Sequence, residues 1–296
     1  MRTKKQHGVL ALLLTLLVLA LVGAWLYLTV QPAKASGVDT AAGLAYLEAQ
    51  EQKDPAEVDV FLREREEQRR LEEEERRRAE EEQRAEEERE RLRAERRAEY
   101  EARIAAIENG ETDIWSEFHD FVILGDSRAV GFYYYDFLDK SRVLAGGGDT
   151  ILKIGEHMSE IVALQPKYIF LCYGLNDVSI GIWSTKEEYV ADLLDYIADL
   201  RENLPDAVIV VSSILPARDP AFELSTKWYE IPDFSAAIAE ACAENGVVFV
   251  DNTEISETYA NYWQPDGIHV RPEFYPYWAR NLIVGIIRDE METELS

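Results

Sequence analysis

The stretch Phe121-Val122-Ile123-Leu124-Gly125-Asp126-Ser127-Arg128-Ala129-Val130 decides how the chain is read. Four apolar residues run into Gly-Asp-Ser, and a helix-like pattern follows over 127–138. A short apolar run stopped by a turn has the signature of a parallel strand buried on both faces. A serine at the C-terminal end of such a strand lies where open α/β sheets place their ligands. A helix beginning there would aim its first N–H groups and its dipole at a developing negative charge. Ser127 is therefore the candidate nucleophile, and the rest of the chain must supply its partners.

Outward from this stretch, apolar runs alternate with helical patterns. Strands are expected at 121–124, 142–145, 168–173, 208–214 and 247–250. Helices are expected at 127–138, 151–164, 186–203, 231–244 and 273–290, with a long proline-containing loop after the fourth strand. Such alternation implies one parallel sheet covered on both faces. Residues 111–296 form the globular part, long enough for one well-buried core.

Three of the strands end in glycine-containing turns: Gly125-Asp126-Ser127, Gly146-Gly147-Gly148-Asp149 and Gly174-Leu175-Asn176-Asp177. Parallel strand ends converge on one edge, so these turns can be neighbours in space. A fourth element, Asp266-Gly267-Ile268-His269, precedes the last helix. A serine hydroxyl is a weak nucleophile and needs a base. His269 can take its proton, and Asp266 can hold the imidazole by accepting from Nδ1–H. The backbone N–H of Ser127, a backbone N–H of the second turn and the Asn176 amide would form an oxyanion hole, each donor being worth about 3–4 kcal/mol of barrier. His7, His119 and His157 have no such setting. Among the aromatics near the expected mouth, Trp263 is the best candidate substrate contact, because it lies just before Asp266.

Gly125-Asp126-Ser127, Gly148 within Gly-Gly-Asp-Thr, Gly174-x-Asn176-Asp177 and Asp266-x-x-His269 resemble, in order, the four blocks of the SGNH/GDSL hydrolases. The resemblance covers about residues 118–290. It implies a flavodoxin-like three-layer α/β/α sandwich with a five-stranded parallel sheet, and ester hydrolysis or acyl transfer without metal or other cofactor. By the same resemblance Ser127, Asp266 and His269 are catalytic, and Ser127, Gly148 and Asn176 line the oxyanion hole; Gly147 is the next choice for the glycine donor. Arg128 after the serine and Val270 after the histidine depart from the family's pattern. Residue 129 is alanine, so this is not the Gly-x-Ser-x-Gly elbow of α/β-hydrolases.

The chain before the globular part is of another kind. Arg2, Lys4 and Lys5 precede the apolar run Val9–Val30, about 22 residues and long enough to span a bilayer as a helix. The basic flank puts the N-terminus inside and the rest outside. Ala33-Lys34-Ala35 offers the rival reading, a cleaved signal that would leave a secreted protein; the length of the run favours a single-pass anchor, residues 1–30. Residues 31–53 form a polar linker with a short helical pattern at 41–50. Asp54-Pro55-Ala56-Glu57 has the form of a helix start with Asp54 as its cap. To about Glu108 the chain is nearly all Glu, Arg, Ala and Gln, with Glu-to-Arg pairs at i,i+4 such as Glu74–Arg78, each worth about 0.2–0.5 kcal/mol. Leu71, Ala85 and Leu92 share a heptad phase that Arg78 interrupts. Residues 54–110 thus form a charged stalk, a solvated single helix or at best a weak coiled coil, closed by Asn109-Gly110; a low-complexity tether of no set length is the alternative.

The net charge is −26, and residues 109–296 hold 33 acidic against 12 basic groups. Such a surface repels nucleic acid and anionic headgroups. Cys172 and Cys242 give no disulfide framework and are expected as two buried free thiols rather than a bridge. These readings converge on a membrane-anchored, outward-facing serine esterase acting on acyl esters, O-acetyl groups of envelope glycans foremost. An O-acyltransferase that passes the acetyl group to a polysaccharide or peptidoglycan is the alternative, and a non-catalytic envelope scaffold is the alternative from another class. The partners expected are an acylated glycan or small ester substrate, a membrane acyltransferase, and a second copy through the stalk, with no nucleic acid.

Overall fold

The computed structural model describes residues 40–51 and 55–296; the apolar run at 9–30, the basic flank before it and the Asp54 cap lie outside the described residues. Among the described residues no helix is long and apolar enough to cross a membrane. Contacts divide the chain into one unit ending at Glu86 and a second, Glu87–Ser296.

In the first unit, helix α1 (Thr40–Glu51) covers the short helical pattern seen in the linker. Helix α2 (Pro55–Glu108) begins on Pro55, whose missing N–H costs nothing at a first helical position. The Glu74–Arg78 pair closes at 2.6 Å, and Arg76–Glu80 and Arg77–Glu81 pair in the opposite orientation. Leu71 is exposed on this stretch of the helix. Its other end belongs to the second unit. There Gly110 adopts φ +72°, and Glu111 N–H reaches back to Ala106 O at 2.9 Å, a glycine-type cap that ends the helix. Ile104 and Ile107 are buried before it.

The second unit holds a five-stranded parallel sheet. Its strands are β1 (Phe121–Gly125), β2 (Val143–Ala145), β3 (Tyr168–Cys172), β4 (Val208–Ser212) and β5 (Val248–Val250), in spatial order β2-β1-β3-β4-β5. Side chains alternate across it. Val122 and Leu124 enter one core with α4 (Lys153–Leu164), α6 (Lys186–Asn203) and α7 (Ile231–Glu244). Phe121 and Ile123 enter the other, with Phe132 of α3 (Gly131–Tyr134), the end of α2, and α9 (Tyr275–Leu295). The chain moves outward from β1 to β2 and then returns to the far side of β1 to form β3. The strand order therefore reverses between β1 and β3, which is where a crevice opens above such a sheet. The remaining helices, α5 (Leu175–Ile180) and α8 (Thr253–Thr258), are short.

Three differences from the sequence reading bear on the site. The helix expected at 127–138 shrinks to Gly131–Tyr134, preceded by turns. Asp136, at φ +60°, turns the chain so that the N–H groups of Phe137 and Leu138 both bond Phe132 O. Ser127 thus follows a strand and opens a turn, not a helix. Asn176 and Asp177 lie in the first turn of α5, where only a turn was expected. The last helix starts at Tyr275, after a 3-10 turn at Pro272–Phe274, and runs on to Leu295.

Candidate active site

The turns after β1, β2 and β3 are laced together by their own acidic and amide side chains. Asp126, with no exposed surface, accepts from the N–H of Arg128 at 2.9 Å and from Leu175 N–H at 3.2 Å, joining the first turn to the third. Asp177 accepts from Ile151 N–H at 2.9 Å, and Asn176 Nδ2 donates to Asp149 O at 2.9 Å, joining the third to the second. Gly148 sits exposed in the second turn at φ +83°, a conformation that side chains resist. Asn176 keeps a second amide hydrogen for a ligand.

The fourth element closes over this edge. Asp266 accepts from the N–H groups of Ile268 (2.9 Å) and His269 (3.0 Å), so the loop folds round its carboxylate. Its Oδ2 lies 2.6 Å from His269 Nδ1, and His269 Nε2 lies 3.1 Å from Ser127 Oγ. Partial burial pushes the Asp266 carboxyl up, but the imidazole and the two N–H groups outweigh it and hold the carboxyl below its usual value. Asp266 is therefore ionised at neutral pH, which fixes the proton on Nδ1 and leaves Nε2 as an acceptor for the serine hydroxyl. Gly267, at φ +70°, is required there: a Cβ would stand 2.1 Å from Arg218 O.

Ser127, Asp266 and His269 thus stand in one hydrogen-bonded line, and Asn176 and Gly148 lie on the same sheet edge. Trp263 does not serve as expected. It is 6% exposed, its indole N–H donates to Pro216 O at 3.1 Å, and its ring is covered by Arg218 and by Phe274. A ring so covered offers no free face to a substrate; it packs the base of the histidine loop.

Arg128 likewise faces inward. It is 2% exposed and pairs with Asp126 at 3.2 Å. Sequence reasoning missed this pair, because nothing in the chain announces that the residue after Ser127 turns into the core. It also missed Asp177 as a buried acid. Burial pushes that carboxyl up to about 7, Ile151 N–H opposes the shift and the Asp126 charge adds to it. Asp177 Oδ2 and the Tyr173 hydroxyl are buried without partners. Cys172 and Cys242 are free and buried, and burial pushes both thiols up, Cys242 to about 12. Among the described residues no group of three or more His, Cys, Asp or Glu side chains is arranged to hold a metal ion.

Comparison with known proteins follows the same lines. The GDSL-like Lipase/Acylhydrolase family profile matches residues 123–275, just over half of the 296-residue chain. No curated protein matches the chain. Similar solved structures include a GDSL-like lipase from Bacteroides thetaiotaomicron VPI-5482, at 19% identity and TM-score 0.47, covering 57% of this chain and 88% of that one. A lipase/acylhydrolase from Enterococcus faecalis is similar at 17% identity and TM-score 0.45, covering 58% and 95%. An acetylxylan esterase from Geobacillus stearothermophilus is similar at 16% identity and TM-score 0.41, covering 57% and 92%. With the family's profile spanning β1 to the start of α9, the chain belongs to the GDSL-like lipase/acylhydrolase family as an SGNH-type ester hydrolase.

Proposed function

We propose that this ester hydrolase uses Ser127 as nucleophile, His269 as base and Asp266 as the acid that orients it, acting on acyl esters, O-acetyl groups foremost, of cell-envelope glycans outside the membrane. The observation that carries the mechanism is the line Asp266–His269–Ser127, with separations of 2.6 and 3.1 Å. In this reading Ser127 Oγ attacks the acyl carbon while its proton passes to His269 Nε2. The carbonyl oxygen becomes an oxyanion held by the N–H groups of Ser127 and Gly148 and the Asn176 amide. The imidazolium, stabilised by Asp266, returns the proton to the departing alcohol. Water, deprotonated by His269, then attacks the acyl-serine and releases the acid.

The substrate class rests on position. An apolar run of about 22 residues behind a basic flank, then a charged stalk, would hold the catalytic unit outside a membrane, where it would meet envelope glycans and the acyl groups they carry. Gly147 and Gly148 of the second turn are exposed on the same sheet edge, which suits access by a polymer. A sugar hydroxyl taking the place of water would make the same site an O-acyltransferase.

Product analysis separates the outcomes. Purified protein is given acetylated glycans and both short- and long-chain aryl esters, with and without an acceptor glycan. Free acetate as the main product in both conditions supports the hydrolase. Acetyl appearing on the acceptor at the expense of free acetate overturns it in favour of transfer, and turnover confined to long-chain esters overturns the O-acetyl assignment.

A further inference from the structure

Ser127 and His269 are 142 residues apart in the chain, yet their side chains meet at 3.1 Å. Taking their roles from the function proposed above, the question is what sets that distance. The histidine loop is closed at its neck by a bridge between Trp263 and Val270 and by Gln264 N–H to His269 O at 2.8 Å. These contacts shape the loop but do not tie it to the serine.

The tie runs through the segment after β4. Arg128 Nη1 donates to Leu215 O at 2.5 Å, and the next carbonyl, Pro216 O, accepts from Trp263 Nε1 at 3.1 Å. Two residues on, Arg218 N–H donates to Gly267 O at 2.8 Å, and the Arg218 guanidinium lies 4.6 Å from the Trp263 ring centre. Arg218 is held in turn by Ser256 O at 2.7 Å. On the nucleophile side, Arg128 is fixed by Asp126 through Nη2, Nε and its own N–H. Its carbonyl accepts from the Tyr275 hydroxyl at 2.7 Å, a second tie from the first residue of α9. Substrate has no route to either side chain, since Arg128 and Trp263 are 2% and 6% exposed.

We infer that Arg128 and Trp263 are positioning residues which, through the consecutive carbonyls of Leu215 and Pro216, set the separation of the Ser127 hydroxyl from the His269 imidazole. Each acts on one side of a shared two-residue strut. Loosening either end lets the imidazole drift from the hydroxyl without changing what the substrate touches. Displacement of about 1 Å between reacting groups can cost up to a hundredfold in rate. Because both ends act on one distance, their effects are coupled rather than independent.

The test uses the full-length protein carrying Trp263→Phe, which keeps a ring but loses the bond to Pro216, Arg128→Lys, which keeps the charge but loses the fork, and the two together. Active sites are titrated with a fluorophosphonate, and kcat and KM for an aryl acetate are measured per titrated site. The inference expects kcat to fall about tenfold in each single variant, KM to stay within about twofold, and the double variant to fall by less than the product of the two. Unchanged kcat per titrated site with a lower melting temperature would make both residues mere packing and overturn it. A raised KM at constant kcat would make Trp263 a substrate contact and overturn it too. Should Arg128→Lys not fold, Trp263→Phe decides alone. A wild-type protein that neither turns over ester nor labels at Ser127 sinks the esterase reading itself, whereas an active wild type with unaffected variants sinks only the strut.

Discussion

Replacing Asp177 by asparagine should stabilise the protein at neutral and alkaline pH and leave it unchanged in acid. Asp177 is 1% exposed, and its Oδ1 accepts from Ile151 N–H while Oδ2 has no partner. Its charged neighbour Asp126 has already taken the Arg128 guanidinium. Burial therefore dominates and lifts the carboxyl to about 7. In the unfolded chain the same group ionises near about 3.9. Between these two values the folded protein holds a proton that the unfolded chain has released. The wild type therefore loses stability as pH rises, by about 1.4 kcal/mol per pH unit, to a ceiling of about 4 kcal/mol above pH ~7. Asparagine keeps the acceptor for Ile151 and removes the ionisation. Thermal and urea unfolding of both proteins should coincide near pH ~4 and diverge by pH ~8, by up to about 10 °C in Tm for a head of this size. A difference that does not change with pH, or a variant less stable at pH ~8, would show that Asp177 does not carry a raised ionisation in the folded protein.

The other predictions concern the catalytic loop and the thiols. Gly267→Ala puts a methyl group 2.1 Å from Arg218 O at a positive φ, so it should lower stability by about 2–3 kcal/mol and slow fluorophosphonate labelling of Ser127. Asp266→Asn removes the charge beside the imidazole and should lower kcat by about 10²–10⁴-fold with the fold intact by circular dichroism. Cys172 and Cys242 should not react with a thiol reagent until the protein is unfolded; a thiol titrating quickly in the native state would contradict their burial.

Much of the fold was legible because burial on two faces leaves a plain trace. Val122 and Leu124 serve one core and Phe121 and Ile123 the other, so β1 has no polar position and reads as an unbroken apolar run. Helix α6 was equally plain: Thr185 caps it through Glu188 N–H at 3.2 Å, with Glu188 reaching back to Ser184 N–H at 2.7 Å. The segment after Ser127 misled, because apolar spacing there continues past the point where the backbone turns. Asp136 adopts a left-handed conformation that a short polar side chain tolerates, and no periodicity reports it.

The site divides in the same way. Ser127 could be singled out because it follows a strand-end turn, and Asp266 and His269 because an acid three residues before an imidazole can hold it; the structure brings the three side chains together. Trp263 was misjudged because proximity in sequence to Asp266 says nothing about which way a ring faces. Arg128 was read as a departure from pattern, when its guanidinium is the counter-charge of Asp126 and reaches a carbonyl 87 residues away. Contacts at that separation are set by the packing of whole layers. The ion pairs along α2 are local by contrast, and Glu74–Arg78 forms at the spacing its sequence announced.

If the proposed mechanism holds, one hydroxyl among all those of the chain is activated, and a single measurement addresses it. Intact protein is treated with a fluorophosphonate, digested, and the adduct located by mass spectrometry in the wild type and in Ser127→Ala and His269→Ala. One adduct is expected, on Ser127, absent from the first variant and formed orders of magnitude more slowly in the second. An adduct on another serine, or labelling of Ser127 at the same rate without His269, would contradict it.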